Sequence, residues 1–371
     1  MFSIWEKQSF LTADIILIGA GITGLSAAAS LKEKHPQLRI SVLERGILPS
    51  GASTKNAGFA CFGCVSELMN DISALGEDGM IQLVERRITG LRKTIDRLGA
   101  QTIDLQVKGG YELLFEKNDQ TLSHIDRVNQ LLFHQYQGDI YQLSDQKISG
   151  FGFGNTCHLI ENKYEGQLDT GKLIASLWDY CSNLGIKVYT GAEVLDYEET
   201  SNGVDIACKG ASFKAQKIGL CTNAFSKRFI EKDLDLKPGR GMVMSIETEK
   251  PLKINGTFHY DGGYYYFRDY YGKLIFGGGR NHALEDEETT DFGINQEIKA
   301  KLLKDLENLV LPNQKFTISS EWSGIMAFGQ NKNPIVEKIS ENISIGVRLG
   351  GMGVAIGSLV GEELAKIIFA D

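Results

Sequence analysis

Gly19, Gly21 and Gly24 stand as Gly-x-Gly-x-x-Gly, and Glu44 follows the last of them by 20 residues. These residue types at this spacing suit the holding of a pyrophosphate and a ribose. Gly19 permits a tight turn, Gly21 lets backbone N–H groups approach phosphate oxygens, and Gly24 lets a helix lie close on a sheet. Ile22 and Thr23 open that helix, whose unpaired donors and partial positive charge face the same anion. Glu44, with Arg45 beside it, is placed to accept hydrogen bonds from both ribose hydroxyls of an adenosine. Such chemistry requires a strand before Gly19, a helix from Ile22 and a second strand ending at Glu44. The chain supplies all three: Ile15-Ile-Leu-Ile18 and Ile40-Ser-Val-Leu43 are short apolar runs, and Leu25-Ser-Ala-Ala-Ala29 is a small-residue helical stretch. A dinucleotide site is the expectation.

Composition narrows the setting. At 371 residues the chain exceeds one simple core and implies two domains. Its 42 Gly against 6 Pro fit an α/β protein rich in tight turns. The net charge is −8 and no basic run is present, which argues against nucleic acid as a partner. The first apolar stretch, 15–31, is broken by glycines and follows Glu6, Lys7 and Asp14, so it reads as a βα unit and not a signal peptide or membrane span. A cytoplasmic protein is expected. Six cysteines show no disulfide framework. Cys61-Phe-Gly-Cys64 is either a redox or metal pair or two small apolar residues, and the second reading is favoured. No histidines fall at a metal-ligand spacing, and no metal site is expected.

Along the chain, a Gly/Ser/Asn loop at 46–63 precedes helical patterns running to about 98 and again over 122–136. Asp169 or Thr170 caps an amphipathic helix, after which strands are expected at 185–189, 192–197, 204–207 and 213–220. The stretch 240–279 is strand-rich and aromatic, including Tyr264-Tyr-Tyr-Phe-Arg-Asp-Tyr-Tyr271. Helices are expected at 295–309 and 354–368. Two late segments look like returns to the nucleotide site. Ile218-Gly-Leu-Cys-Thr-Asn-Ala224 is a strand ending in Thr222, Asn223 and Ala224, which can meet a cofactor through the backbone. Ile343 to Val354 is a strand, a glycine turn (Gly350, Gly351, Met352, Gly353) and a helix start at Val354. A second glycine-lined helix N-terminus suits a cofactor too long for one βαβ unit, and its dipole stabilises negative charge on a reduced flavin ring. Together these segments favour FAD over NAD.

At this point the chain resembles the FAD-dependent D-amino-acid oxidase-like oxidoreductases, relatives of glycine, sarcosine and gamma-glutamylputrescine oxidases. The resemblance covers most of the chain. It rests on the opening motif, Gly51-Ala-Ser-Thr-Lys-Asn-Ala-Gly-Phe59, Glu165-Gly-Gln-Leu-Asp169, Cys221-Thr-Asn-Ala224, Pro238-Gly-Arg-Gly241, Phe276-Gly-Gly-Gly-Arg280, Trp322-Ser-Gly-Ile325 and the final glycine turn, in that order. It implies an α/β fold: a Rossmann-like FAD-binding domain with a glutathione-reductase-like βαβ core, interleaved with an antiparallel-sheet α+β substrate domain. The FAD-binding domain would comprise 1–85, 150–225 and 320–371, and the substrate domain 86–149 and 226–319. Ser53, Thr54, Lys55, Asn56, Ala57 and Gly58 resemble the segment that crosses the pyrophosphate and reaches the flavin, and Val194 the position whose backbone meets the adenine. The family's Asp-Gly-x-Pro is Asn331-Lys-Asn-Pro334 here, and the histidine frequent in the final turn is Met352. Sarcosine oxidases attach FAD through a C-terminal-domain cysteine, whereas no cysteine follows Cys221, so noncovalent FAD is expected.

The implied reaction moves a hydride from an amine-bearing carbon to flavin N5, after which the imine hydrolyses. It needs orientation and a neutral amine more than a strong protein base. An amino-acid carboxylate would call for an arginine fork. Arg268 and Arg280 are the candidates, with Tyr264 and Tyr266 alternating with Arg268 along one strand face, and Arg348 near the flavin as a third. Two alternatives stay open: oxidation of a hydroxy acid or polyol phosphate, and a flavoprotein subunit without turnover of its own. Oxygen or another compound accepts the electrons.

Overall fold

In a computed structural model that describes residues 1–370, Ile15–Ile18 lies at the centre of a six-stranded sheet. It pairs in parallel with Ile40–Leu43 on one side and Lys217–Leu220 on the other. The sheet order is Ile335–Lys338, Ile343–Val347, Lys217–Leu220, Ile15–Ile18, Ile40–Leu43, Lys187–Tyr189, with only the first of these antiparallel to its neighbour. Ile15–Ile18, Ile40–Leu43 and Ile343–Val347 are buried throughout, so Ile15–Ile18 reads as an unbroken apolar run and the other two carry only the small residues Ser41, Ser344 and Gly346 between their apolar ones. Helices Ile22–Lys34 and Gly353–Phe369 pack on this sheet and on each other. Their contact is close because Gly361 has no Cβ; one there would stand 2.7 Å from the Thr23 carbonyl oxygen. A small antiparallel sheet (Val194–Thr200, Gly203–Cys208, Ala211–Ala215) shares a core with the same strands.

The other half is an eight-stranded sheet in the order Phe316–Phe328, Lys237–Thr248, Lys273–Gly278, Tyr265–Tyr270, Thr257–Tyr260, Gly110–Leu114, His158–Asn162, Tyr141–Leu143. Its aromatic strands build their own core, where Phe258 and Phe267 stack with centroids 4.9 Å apart. Three elements depart from the domain bounds that the resemblance implies. His158–Asn162 lies in this sheet, although those bounds put 150–225 in the nucleotide half. Phe316–Phe328 pairs along the whole of Lys237–Thr248 and so belongs to this sheet on both sides of residue 320. Helix Val65–Leu98 spans residue 85, with one non-helical residue, Gly76, at φ +75°. Val65–Leu98 and Phe316–Phe328 run through the implied bounds, whereas His158–Asn162 joins the larger sheet by pairing with Gly110–Leu114. Among the described residues no helix is long and apolar enough to cross a membrane, and all six cysteines are free.

Candidate active site

A cavity of ≈770 Å³ runs between the two sheets, within the range of about 300–1,000 Å³ usual for ligand sites. At one end it is bordered by Gly19, Gly21, Ile22, Thr23, Glu44, Arg45 and Val194. The glycines there are required by space. A Cβ at Gly19 (φ +109°) would stand 2.8 Å from the Cys221 carbonyl oxygen, and one at Gly24 only 1.9 Å from the Gly19 carbonyl oxygen. Gly24 therefore sits behind the cavity wall and sets the helix–sheet distance. Glu44 is held by the Ala20 N–H (3.1 Å) and the Gly46 N–H (3.0 Å), one to each carboxylate oxygen, so its remaining lone pairs face the cavity in a fixed orientation.

Residues 51–58 cross the N-terminus of helix Ile22–Lys34. Ser53 Oγ accepts the Ile22 N–H at 3.0 Å, satisfying one of the helix's free donors. Ser53→Ala is expected to destabilise the apoprotein by about 1 kcal/mol, as the loss of a helix cap does; the urea midpoint checks this. Thr54 turns away and donates to the Pro49 and Gly51 carbonyls. Lys55, Asn56, Ala57 and Gly58 border the cavity and are stitched from several directions. Asn56 Oδ1 accepts from Gly58 N–H and Thr170 Oγ1, and Trp322 Nε1 donates to the Lys55 carbonyl at 2.9 Å. At the other helix, Gly350 (φ +57°), Gly351 (φ +83°), Met352, Gly353 and Val354 border the cavity together with Thr222 and Asn223. Ala224 is buried in the core beneath them.

The far end is formed by Tyr264, Tyr266 and Arg280, as the sequence suggests, and by residues it does not single out: Cys61, Glu67, Asp71, His259, Phe328 and Lys332. His259 and Tyr266 are cross-strand partners on one sheet face. Phe59 meets both rings edge-on, at 4.9 and 5.7 Å. Burial drives the His259 imidazole down to about 4, so it is neutral, and pushes the Tyr266 hydroxyl up to about 12, so it remains a donor. The Arg280 guanidinium lies 4.1 Å over the Phe328 ring and makes no hydrogen bond or ion pair among the described residues.

Two sequence candidates are elsewhere. Arg268 is buried and donates to the Ala57 carbonyl (2.5 Å) and the Leu168 carbonyl (3.0 Å), so it holds the 56–58 loop and does not border the cavity. Arg348, at φ +65°, points out of the final turn and is held by Asp235 (2.6 Å), the Asn333 carbonyl and Asn331. Both are framework residues. The single Cys-x-x-Cys pair is likewise buried, and burial raises both thiols well above their ordinary range, which keeps them protonated.

A family model described as FAD dependent oxidoreductase (DAO) matches residues 14–367. The chain belongs to this family. Among its relatives, gamma-glutamylputrescine oxidoreductase of Escherichia coli is 23% identical over 380 residues, covering 97% of this chain and 84% of that protein. Glycine oxidase of Geobacillus kaustophilus is 20% identical over 376 residues, covering 96% and 92%. The crystal structure of glycine oxidase from that organism superposes with a TM-score of 0.76 at 19% identity, covering 96% of this chain and 94% of the other. L-proline dehydrogenase from P. horikoshii gives 0.76 at 17% identity, covering 96% and 93%. Members of the family use FAD, and the cavity fits that group. It presents a helix N-terminus at each of two glycine turns, a fixed carboxylate at one end and an aromatic chamber at the other. At Gly21 a Cβ would fill the mouth of this cradle and stand 2.8 Å from Ser53 Oγ.

Proposed function

We propose that this FAD-dependent oxidoreductase oxidises the C–N bond of an amine or amino acid, with the substrate in the chamber of Tyr264, Tyr266 and Arg280. The observation that carries this reading is the Arg280 guanidinium, a cation facing the cavity with no acidic partner. The relatives glycine oxidase and gamma-glutamylputrescine oxidoreductase point to the same substrate class. In this reading Gly19, Gly21, Ile22, Thr23 and the 350–354 turn hold the phosphates and the flavin edge, Glu44 holds the ribose, and Ser53 with 55–58 line the flavin. Bound noncovalently, FAD supplies the hydride acceptor, its N5 atom.

The protein's part is orientation. Arg280 takes a carboxylate in its fork and Tyr266, fixed as a neutral donor, adds a hydrogen bond to the same group. Neutral His259 places no positive charge beside the amine, which must be unprotonated to release a hydride. The Phe59, His259 and Tyr266 rings keep water from the reacting carbon until the imine leaves. Arg280→Ala is expected to lower kcat/KM for a carboxylate-bearing substrate by about 10- to 100-fold, the worth of a charged hydrogen bond. The loss should fall mainly on KM, and Arg280→Lys should recover part of it.

Anaerobic mixing of the holoenzyme with amino acids of both hands, N-methyl amino acids and amines tests the proposal. Bleaching of the flavin by one of these classes supports it. Bleaching by hydroxy acids alone, or by nothing offered, overturns it.

A further inference from the structure

The chamber's other wall carries a charge cluster with no part in the scheme above. Glu67 and Asp71 lie one turn apart on the first part of helix Val65–Leu98, facing the cavity. Glu67 Oε1 accepts from both Arg87 (3.2 Å) and Lys332 (2.9 Å), while Oε2 accepts from nothing among the described residues. Asp71 uses Oδ1 for Lys332 at 2.6 Å. Its Oδ2 has no hydrogen-bond partner although the residue is 2% exposed, with Arg87 no nearer than 3.9 Å. Each carboxylate thus engages one oxygen with a cation and leaves the other open. A buried acceptor without a donor is costly, and a polar ligand relieves that cost.

We infer that Glu67, with Asp71 beside it, forms a second subsite that takes a cationic nitrogen of the substrate other than the one oxidised. This rests on the amine-oxidising function proposed above and names its substrate class: diamines and basic amino acids. The assignment of the nitrogens follows from charge. Arg87 and Lys332 hold the Glu67 carboxyl down at about 2, against the effect of its own burial, so it is ionised at every working pH. A nitrogen bound to it stays protonated, and an ammonium has no lone pair with which to expel a hydride. The oxidised nitrogen must therefore sit elsewhere, and the one at Glu67 is an anchor. The groups facing Glu67 are Arg87, Lys332, Asp71 and neutral His259; no further cation fills its second oxygen.

The test compares substrates that differ only in the distal group, by anaerobic flavin reduction in the holoenzyme: 1,5-diaminopentane against pentylamine, and lysine against norleucine in both hands. The ammonium-bearing member of each pair is expected to half-saturate at a concentration lower by about tenfold or more, as for a hydrogen bond to a charged group. Glu67→Gln should bring the pair together, and Glu67→Asp should keep most of the preference. If the Gln variant fails to hold flavin, Asp71→Asn is read instead and should shrink the same ratio. A ratio near one in the wild-type protein, or one untouched by these variants, overturns the inference and makes the cluster a structural tie to Lys332. If pentylamine and norleucine reduce the flavin without any advantage to their partners, only this inference falls. If no amine reduces it, the proposed function falls as well.

Discussion

Glu165→Gln should raise the melting temperature at pH values above about 9 and leave it nearly unchanged near pH 4. Glu165 lies beneath the 61–64 segment, where Oε1 accepts the Phe62 N–H at 2.8 Å and the Gly63 N–H at 3.2 Å. Burial lifts its carboxyl to about 8, and the nearby Glu67 charge adds to the rise against the two N–H donors and Arg87. In the unfolded chain it titrates near the ordinary 4.5. Between these values the folded protein binds a proton that the unfolded chain has lost, so stability falls as pH rises through the window and is level above it. The full drop is at most about 5 kcal/mol, at 1.36 kcal/mol per unit of pKa. Glutamine keeps the acceptor oxygen for Phe62 and Gly63 and carries no proton to lose. Thermal denaturation of both proteins across this range checks the prediction, and parallel pH curves would remove Glu165 from the account.

Arg268→Ala is expected to weaken FAD retention while leaving the substrate KM of the remaining holoenzyme close to normal. The guanidinium joins the strand Tyr265–Tyr270 to the cavity-lining 56–58 loop through Ala57 and to Leu168, whose own N–H holds the Gly58 carbonyl. Its removal takes the donors from two buried carbonyls, at about 1–3 kcal/mol each. Fluorescence titration of apoprotein with FAD, alongside the melting temperature, reads the effect. Arg268→Lys should fall between, since a lysine reaches one carbonyl but lacks the fork. Normal FAD binding with a raised substrate KM would return Arg268 to the substrate wall, where its alternation with Tyr266 had placed it.

That misplacement shows where sequence reasoning stops. Tyr266 and Arg268 do share a face, as period-two alternation requires, but two residues along a strand is about 7 Å, and the cavity ends within that distance. Arg348 was placed by its nearness to Gly350 and Gly351, yet the left-handed turn that begins at Arg348 itself carries its side chain outward to Asp235. The nucleotide end is legible because one strand–turn–helix carries its glycines at a fixed spacing, even though the contacts that Gly19 and Gly21 answer come from as far away as Cys221 and Ser53. Glu67, His259 and Lys332 come from a helix, a sheet strand and a late loop, far apart in the chain. None sits in a local pattern that marks it, and only the packing of the eight-stranded sheet on helix Val65–Leu98 brings them together.

The two clasps on the 55–57 segment also fix a timetable. Ala57 waits for a partner 211 residues further on, and Lys55 for one 267 residues further on. A ribosome delivers the βαβ nucleotide fingerprint early, but the 53–58 loop beside it is held in stages, by Ile22 on Ser53, then by Leu168 and Thr170, then by Arg268, and last by Trp322. Long-range closures of this kind are slow and come late. Newly made chains should therefore acquire a firmly held flavin only after Trp322 has been made, long after the nucleotide fingerprint.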